Sequence, residues 1–446
     1  MRILVKWPTR GTPDGLSQRL QRWRLSESGA NEVRYLLTVD QDDPASINSA
    51  KEAIERCKLD DVDLHMPEPR GKVAACNAGV PDPTIWNPGR GWDVLILASD
   101  DFQPEISGWD DVVARAISWH FPALDGCLHF PDANSAHDRF PTIPIMGVNY
   151  YRRFAYIYHP DYISLWCDRE QGEVACRMHK SAYIDLPVFQ HRWRGHYAPD
   201  DTLAKNQAFW EKDEGTYKAR AARGFDLKSP DLSILVPALD SRREKSAKLF
   251  AEIYRQIWGL GSAQSWRVEI HILLDQKRRN VGEKRNLLLA RARGKYICFV
   301  DDDDRIAPDY LSSLLETMDR SPAADCIVFA GEFQAVGHAV SHPKIPYDYD
   351  IKYQTHRNTP QLLERTPNHL CPIRSEIAKN AKFPELNCGE DTEYARRVKP
   401  RLKTQGVCVD AGGRKKTLYY YDYDRKRTET QRAPDPAGQY VQTSSF

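Results

Sequence analysis

KYICFVDDDDRIAPDYL, residues 295–311, decides how this 446-residue chain is read. After Lys295 the next five residues, Tyr296 to Val300, are apolar, aromatic or β-branched, as a strand buried on both faces requires. That strand runs straight into Asp301-Asp302-Asp303-Asp304. Adjacent carboxylates repel one another unless a cation or basic groups offset them. Open parallel sheets bind ligands at the carboxyl ends of their strands, so the acidic run stands where a ligand site belongs. Oxygen donors crowded in this way suit hard Mg²⁺ or Mn²⁺, whose shells phosphate oxygens complete.

Working outward, residues 233–257 (SILVPALDSRREKSAKLFAEIYRQI) read as a strand and an amphipathic helix with Leu249, Ile253 and Ile257 on one face. Residues 268–275 (VEIHILLD) give a strand ending at Asp275, and 280–294 (NVGEKRNLLLARARG) a helix closed by glycine. The helical period resumes after Pro308. Strands alternating with helices predict an α/β fold with a largely parallel sheet.

The first half repeats this order. Residues 3–11 (ILVKWPTRG), 35–40 (YLLTVD), 71–79 (GKVAACNAG) and 92–99 (WDVLILAS) give strand, strand, short helix and strand, followed by Asp100-Asp101 and a helix around 109–117. Matching the halves pairs Pro8 with Pro237, Asp40 with Asp275, Lys72 with Lys284 and Asp100-Asp101 with Asp303-Asp304. A repeat this long predicts duplicated domains. We place them at 1–222 and 223–424, with a polar, proline- and glycine-containing tail over 425–446 that is expected to be flexible.

Composition narrows the classes. Charged residues make up 28% of the chain and the net charge is +1, so binding to a polyanion would depend on local patches. No apolar run approaches the roughly 20 residues of a transmembrane helix, and the start is too polar for a signal peptide. A soluble, cytoplasmic protein is expected. Ten cysteines are scattered without zinc-knuckle spacing and are expected to be mostly buried free thiols.

Residues 387–398 (NCGEDTEYARRV) place Glu390 and Asp391 at a helix start, where carboxylates are electrostatically favoured. Asp391 is the candidate general base, and Glu390 either binds an acceptor hydroxyl or orders the pocket. Lys277, Arg278, Arg279, Lys284 and Arg285 supply candidates for neutralising phosphate or the acidic run.

Residues 232–398 resemble the family 2 glycosyltransferases with a GT-A fold through SILVPALDSR, Asp275, GEKRN, FVDDDD and GED. The resemblance implies tandem GT-A-like domains with mainly parallel, Rossmann-like sheets. It implies a nucleotide-sugar donor, of the UDP type, and a Mn²⁺ or Mg²⁺ ion held through Asp301 and Asp303. Pro237, Asp275, Lys284, Arg285, Asp301 and Asp302 then line the nucleotide, and Asp391 is the base of an inverting transfer. The first half is similar to the same fold but departs from it. Pro8, Asp40, Lys72 and Asp100 would form its nucleotide pocket, Asp101 with His196 or His179 its metal site, and Asp168 with Glu170, in 163–175 (ISLWCDREQGEVA), its catalytic pair.

The acceptor stays open among carbohydrate, glycolipid, protein and modified DNA. Residues 191–196 (HRWRGH) and 413–427 (GRKKTLYYYDYDRKR) mix charge and aromatic rings in the manner of nucleic-acid surfaces, and Tyr150, Tyr151, Trp166 and Trp193 are candidates for stacking. The alternatives are a non-catalytic carbohydrate- or nucleotide-sugar-binding scaffold, and a nucleotidyltransferase. The glycine-rich loop expected of the latter is missing from VPALDSRR.

Overall fold

The computed structural model describes residues 1–11, 15–57, 60–83, 91–131, 143–191, 207–336, 344–359 and 361–424. The expected tail over 425–446, Trp193 and His196 lie outside the described residues. The chain divides into two compact units, Met1–Leu227 and Lys228–Phe446.

The first unit contains β1 (Arg2–Thr9), β2 (Glu32–Val39), β3 (Val62–His65), β4 (Val94–Leu97), β5 (Phe102–Pro104), β6 (Cys127–His129), β7 (Ile145–Gly147), β8 (Ser181–Tyr183) and β9 (Phe189–His191). Seven of these form one sheet in the order β3-β2-β1-β4-β7-β6-β8, and β5 pairs with β9. Strands β1 to β4 are mutually parallel, β7 runs against both neighbours, and β8 returns parallel to β6. Helices cover both faces, which explains the unbroken apolar character of β4. Trp7, Trp23 and Trp109 fill one side, and Tyr150, Tyr158 and Cys167 the other.

The second unit contains β10 (Leu232–Leu239), β11 (Val268–Asp275), β12 (Tyr296–Phe299), β13 (Arg305–Ile306), β14 (Cys326–Val328), β15 (Ala330–Val336), β16 (Ile345–Tyr349), β17 (Arg357–Asn358), β18 (Leu363–Arg365), β19 (Ile373–Arg374), β20 (Gln405–Val407) and β21 (Thr417–Asp424). Its main sheet runs β11-β10-β12-β19-β14-β20, the order of the first sheet without an edge strand corresponding to β3. The antiparallel strand, here β19, again sits between the third parallel strand and the far pair. A second sheet, β13-β21-β15-β16-β18-β17, is added beside the site described below. Among the described residues no helix is long and apolar enough to cross a membrane, and the described cysteines are free.

The ladders fix which residues correspond. Pro8 pairs with Thr38 and Pro237 with Leu273, so Pro8 matches Pro237 and Asp40 matches Asp275. Ala98 N–H donates to the Lys6 carbonyl (2.8 Å) and Val300 N–H to the Leu235 carbonyl (3.1 Å), so Ala98 stands with Val300. The acidic runs therefore match one residue away from the sequence pairing: Ser99 with Asp301, Asp100 with Asp302, Asp101 with Asp303 and Phe102 with Asp304. The first unit lacks both the first and the last carboxylate.

The short helices correct a second pairing. Asn77 brackets the Tyr158 peptide, accepting its N–H at 3.1 Å and donating to its carbonyl at 2.7 Å. Asn286 brackets Phe383 in the same way, at 2.8 and 2.9 Å. Four residues earlier, Val73 N–H reaches the Ile163 carbonyl and Gly282 N–H the Leu386 carbonyl, each at 3.0 Å. Cys76 thus stands at the place of Arg285 and Ala75 at that of Lys284, while Lys72 matches Val281. Gly282 has no room for a side chain, since a Cβ would lie 1.8 Å from the Pro384 carbonyl oxygen.

Candidate active site

In the second unit β12 ends at Phe299, before the acidic run. Residues 302–303 turn, and Asp304 N–H closes the turn on the Asp301 carbonyl at 3.2 Å. The four carboxylates therefore splay instead of alternating on a strand face. Asp302 points inward and is satisfied by Leu239 N–H and an Arg242 nitrogen, both at 2.8 Å. This locks the turn to the end of β10 and gives each Asp302 oxygen a protein partner. Asp304 is enclosed and accepts from the Tyr419 hydroxyl at 2.7 Å, and burial pushes its carboxyl well above the usual range.

Asp301 and Asp303 remain. Burial raises the Asp301 carboxyl, but the Arg285 guanidinium, with an N–H at 3.0 Å, and His369, at 3.6 Å, more than offset this and hold it below the usual range. Asp303 pairs with Arg242 at 3.1 Å, and burial raises its carboxyl to about 6, with Asp302 and Asp301 adding to the shift.

The helix Glu390–Val398 begins after Gly389, whose φ of 81° is in the left-handed region. Glu390 lies 3.4 Å from Arg285 Nε, and burial lifts its carboxyl to about 7 against the pull of that guanidinium. Asp391, half-buried in the same turn, accepts from Thr392 N–H at 2.7 Å. Its charge is felt by Arg285, His369, His356 and Arg365, so it belongs to the same cluster. Arg285 is buried against the edge-to-face pair of Phe299 (5.3 Å) and Phe383 (5.5 Å). Arg285 Nε and Nη1 and both ring nitrogens of His369 are buried without a hydrogen-bond partner among the described residues.

Asp275 is buried at the end of β11 and accepts the Arg279 backbone N–H at 3.2 Å, with the Arg279 guanidinium 3.8 Å away. Pro237 is buried within β10, and Lys284 is buried in the helix Val281–Arg291. Sequence reasoning missed His369 and Arg242. Neither has a local signal, because each reaches its carboxylate only through the fold.

The first unit keeps the frame and changes the chemistry. Asp100 accepts from Trp7 Nε1 (3.1 Å) and the Thr9 hydroxyl (2.8 Å), the inward role of its match Asp302. Asp101 is 3.1 Å from His191 Nε2 on β9, so the histidine at this carboxylate is His191 and not His179, which is exposed past the far end of the helix Cys167–Arg177. Asp168 occupies the position of Asp391, but Cys167 replaces Glu390. Trp166 holds the left-handed conformation (φ 63°) that Gly389 has in the second unit. Glu170, expected to be half of a catalytic pair, is spent structurally: Arg220 donates to it at 2.8 and 2.9 Å and the Tyr162 hydroxyl at 2.7 Å. Lys72 acts electrostatically on Asp168 and Asp101 from one turn before Cys76. Asp40 pairs with Arg10 at 2.5 Å and keeps its other oxygen unpartnered among the described residues. Pro8 lies within β1.

The donor set of the second unit fits a hard cation. Asp301 and Asp303 offer oxygens, and the raised carboxyl of Asp303 marks a place short of positive charge. Among the described residues no three His, Cys, Asp or Glu side chains are grouped as a metal cage, so substrate phosphate and water would complete the shell.

Residues 260–379, inside the second unit, match the profile of Glycosyl transferase family 2. An 89-residue stretch is 32% identical to the putative glycosyltransferase EpsH of Bacillus subtilis (strain 168), over 20% of this chain and 24% of that relative. S. aureus TarS 1-349 in complex with UDP-GlcNAc is 16% identical, with a TM-score of 0.31 over 46% of this chain and 61% of that one. The mannosyltransferase PcManGT from Pyrobaculum calidifontis, in complex with GDP-Man and Mn²⁺, is 12% identical, with a TM-score of 0.38 over 50% and 64%. The chain thus spans about a quarter of the curated relative and less than two thirds of each of these structures. The second unit thus contains a segment similar to family 2 glycosyltransferases, on a sheet in which β11, β10 and β12 are parallel.

Proposed function

We propose, from the family 2 glycosyltransferase segment in the second unit, that this unit moves a sugar from a nucleotide donor to an acceptor hydroxyl with inversion. The observation that carries the reading is the convergence of Asp301, Glu390 and Asp391 around Arg285 at the carboxyl ends of parallel strands. Asp275 binds the base or ribose of a UDP-sugar. Asp301 and Asp303 would hold Mn²⁺ or Mg²⁺, which when bound stabilises negative charge on the departing diphosphate. Asp391 accepts the proton of the acceptor hydroxyl as its oxygen attacks the anomeric carbon from the face opposite the diphosphate. The bond to the diphosphate breaks as the new glycosidic bond forms.

A second reading applies to the first unit, which we propose binds nucleotide sugar or carbohydrate without catalysing transfer. Replacement of Arg285, Asp301 and Glu390 by Cys76, Ser99 and Cys167 supports it. The test for both is nucleotide release by the full chain from UDP-, GDP- and CMP-sugars with Mn²⁺ or Mg²⁺, with and without carbohydrate, glycolipid, protein and DNA acceptors. Metal-dependent release that an acceptor stimulates and Asp303→Ala abolishes supports transfer by the second unit. Release that survives Asp303→Ala and is lost in Asp101→Ala assigns it to the first.

A further inference from the structure

We infer that Arg285 is a positioning residue whose guanidinium fixes the start of the Glu390–Val398 helix, and with it the Asp391 carboxylate, relative to Asp301. The inference rests on the transfer reading above and departs from the expectation that Arg285 binds substrate phosphate.

Three features of the helix start point to it. The first turn has no side-chain cap, and Gly389 before it has nothing within 4 Å of where a Cβ would lie. Gly389 therefore adds no side-chain restraint of its own to the turn. Arg285 supplies the missing constraint, with Nη2 at 3.0 Å from Asp301 and Nε at 3.4 Å from Glu390. The guanidinium itself rests on the edge-to-face pair of Phe299 and Phe383, and Phe383 stacks at 4.0 Å on Tyr394, one turn along the same helix. The contact with Glu390 is screened from solvent, the Arg285 and Glu390 side chains being 5% and 7% exposed.

The duplicated unit supplies an independent line. At the positions matched by the ladders and the two asparagines, Arg285, Asp301 and Glu390 become Cys76, Ser99 and Cys167, all uncharged. Asp168, the match of Asp391, is retained. A buried charge left without its partner is strongly destabilising, so residues that depend on one another are lost together.

The experiment uses the full chain as wild type, Arg285→Lys, Glu390→Gln, the double variant and Asp391→Asn. Affinity for the nucleoside diphosphate of the preferred donor, with Mn²⁺, is measured by calorimetry beside kcat and donor KM for transfer. Misplacing a reacting group by about 1 Å lowers rates on the order of 10²-fold. Glu390→Gln, nearly isosteric and safe for folding, should lower kcat about tenfold or more while nucleotide affinity and KM stay within about twofold. Arg285→Lys should behave alike, and the double variant should be no slower than the slower single one. A tenfold loss of nucleotide affinity in Arg285→Lys with kcat preserved would make Arg285 a phosphate ligand and overturn the inference. Wild-type kcat in Glu390→Gln would overturn it as well. If Asp391→Asn transfers normally, the base assignment fails. If Asp391→Asn is inactive while Arg285→Lys and Glu390→Gln turn over normally, only the positioning role fails.

Discussion

At the carboxyl ends of their central strands the two units hold one backbone frame and opposite kinds of surface. The second sets Arg285, Asp301, Asp303, Glu390 and Asp391 there, and the first sets Cys76, Ser99, Asp101, Cys167 and Asp168 at the matched places. The sheet order is the same because the cores that specify it, built from apolar strand residues and the helices over them, lie away from the rim. Chemistry grafted on the rim can therefore be removed without loss of the fold. The inward carboxylates Asp100 and Asp302 are retained in both units. Each ties the turn after the third parallel strand to the end of the first, which is a structural role.

The largest expected break between the units is catalytic. Asp391→Asn should reduce transfer by about 10²- to 10⁴-fold, the usual worth of a general base, whereas Asp168→Asn should leave it within about twofold. A radiolabelled-sugar transfer assay reads both, and equal losses would erase the distinction.

Next in size is the cation. Chelation, or Asp303→Ala, should depress nucleotide release by about 10²-fold or more, as expected when charge stabilisation of several kcal/mol is removed. His191→Ala should not affect turnover, although it should weaken any Mn²⁺ binding by the first unit, a difference that calorimetry on each variant measures.

The pH dependence sharpens the comparison further. In the metal-free second unit Asp303 and Glu390 have folded values raised to about 6 and about 7. A raised carboxyl contributes stability that is complete below its unfolded value and lost as pH climbs through the folded one. Asp101 has the opposite sign. Burial opposes ionisation, but the hydrogen bond and charge of His191 hold the carboxyl below the usual range. Its contribution is present near neutrality and fades as pH falls. In chelator, the thermal midpoint associated with the second unit should fall between about pH 4 and pH 7, and Asp303→Asn with Glu390→Gln should flatten that fall. Scanning calorimetry across pH checks it, and an unchanged slope in the double variant would remove these two groups as its cause.

The smallest effect separates backbone from chemistry. Gly389→Ala meets no neighbour, so its cost should be that of a left-handed Cβ alone, about 1 kcal/mol in urea unfolding. Trp166 already occupies this conformation in the first unit, where its ring packs at 5.4 Å from Trp210 and 5.3 Å from Tyr217.

Much of this frame could be read from the residues. Continuous apolar strands ending in Asp40, Asp275 and the acidic run located the rim, and Gly389-Glu390-Asp391 located the helix that faces it. What escaped depends on contacts far apart in sequence. The acidic runs were matched one residue out of step because only the hydrogen bonds of Ala98 and Val300 set the register. Lys72 was matched to Lys284 because both are basic and near a helix start, whereas Asn77 and Asn286 anchor the helices. Glu170 looked catalytic beside Asp168, but Arg220, fifty residues on, claims it. His369 and His191 stand in stretches whose sequence carries no sign of the carboxylate each meets.

The central claim is that the second unit holds the cation and the nucleotide. Its most direct test is anomalous diffraction from crystals of the full chain grown with Mn²⁺ and the nucleoside diphosphate of the preferred donor. Expected is a Mn²⁺ peak bonded to Asp303, with the diphosphate on it and the base or ribose beside Asp275. A peak and nucleotide found only at Asp101 and His191, with the second unit's rim vacant, would contradict it.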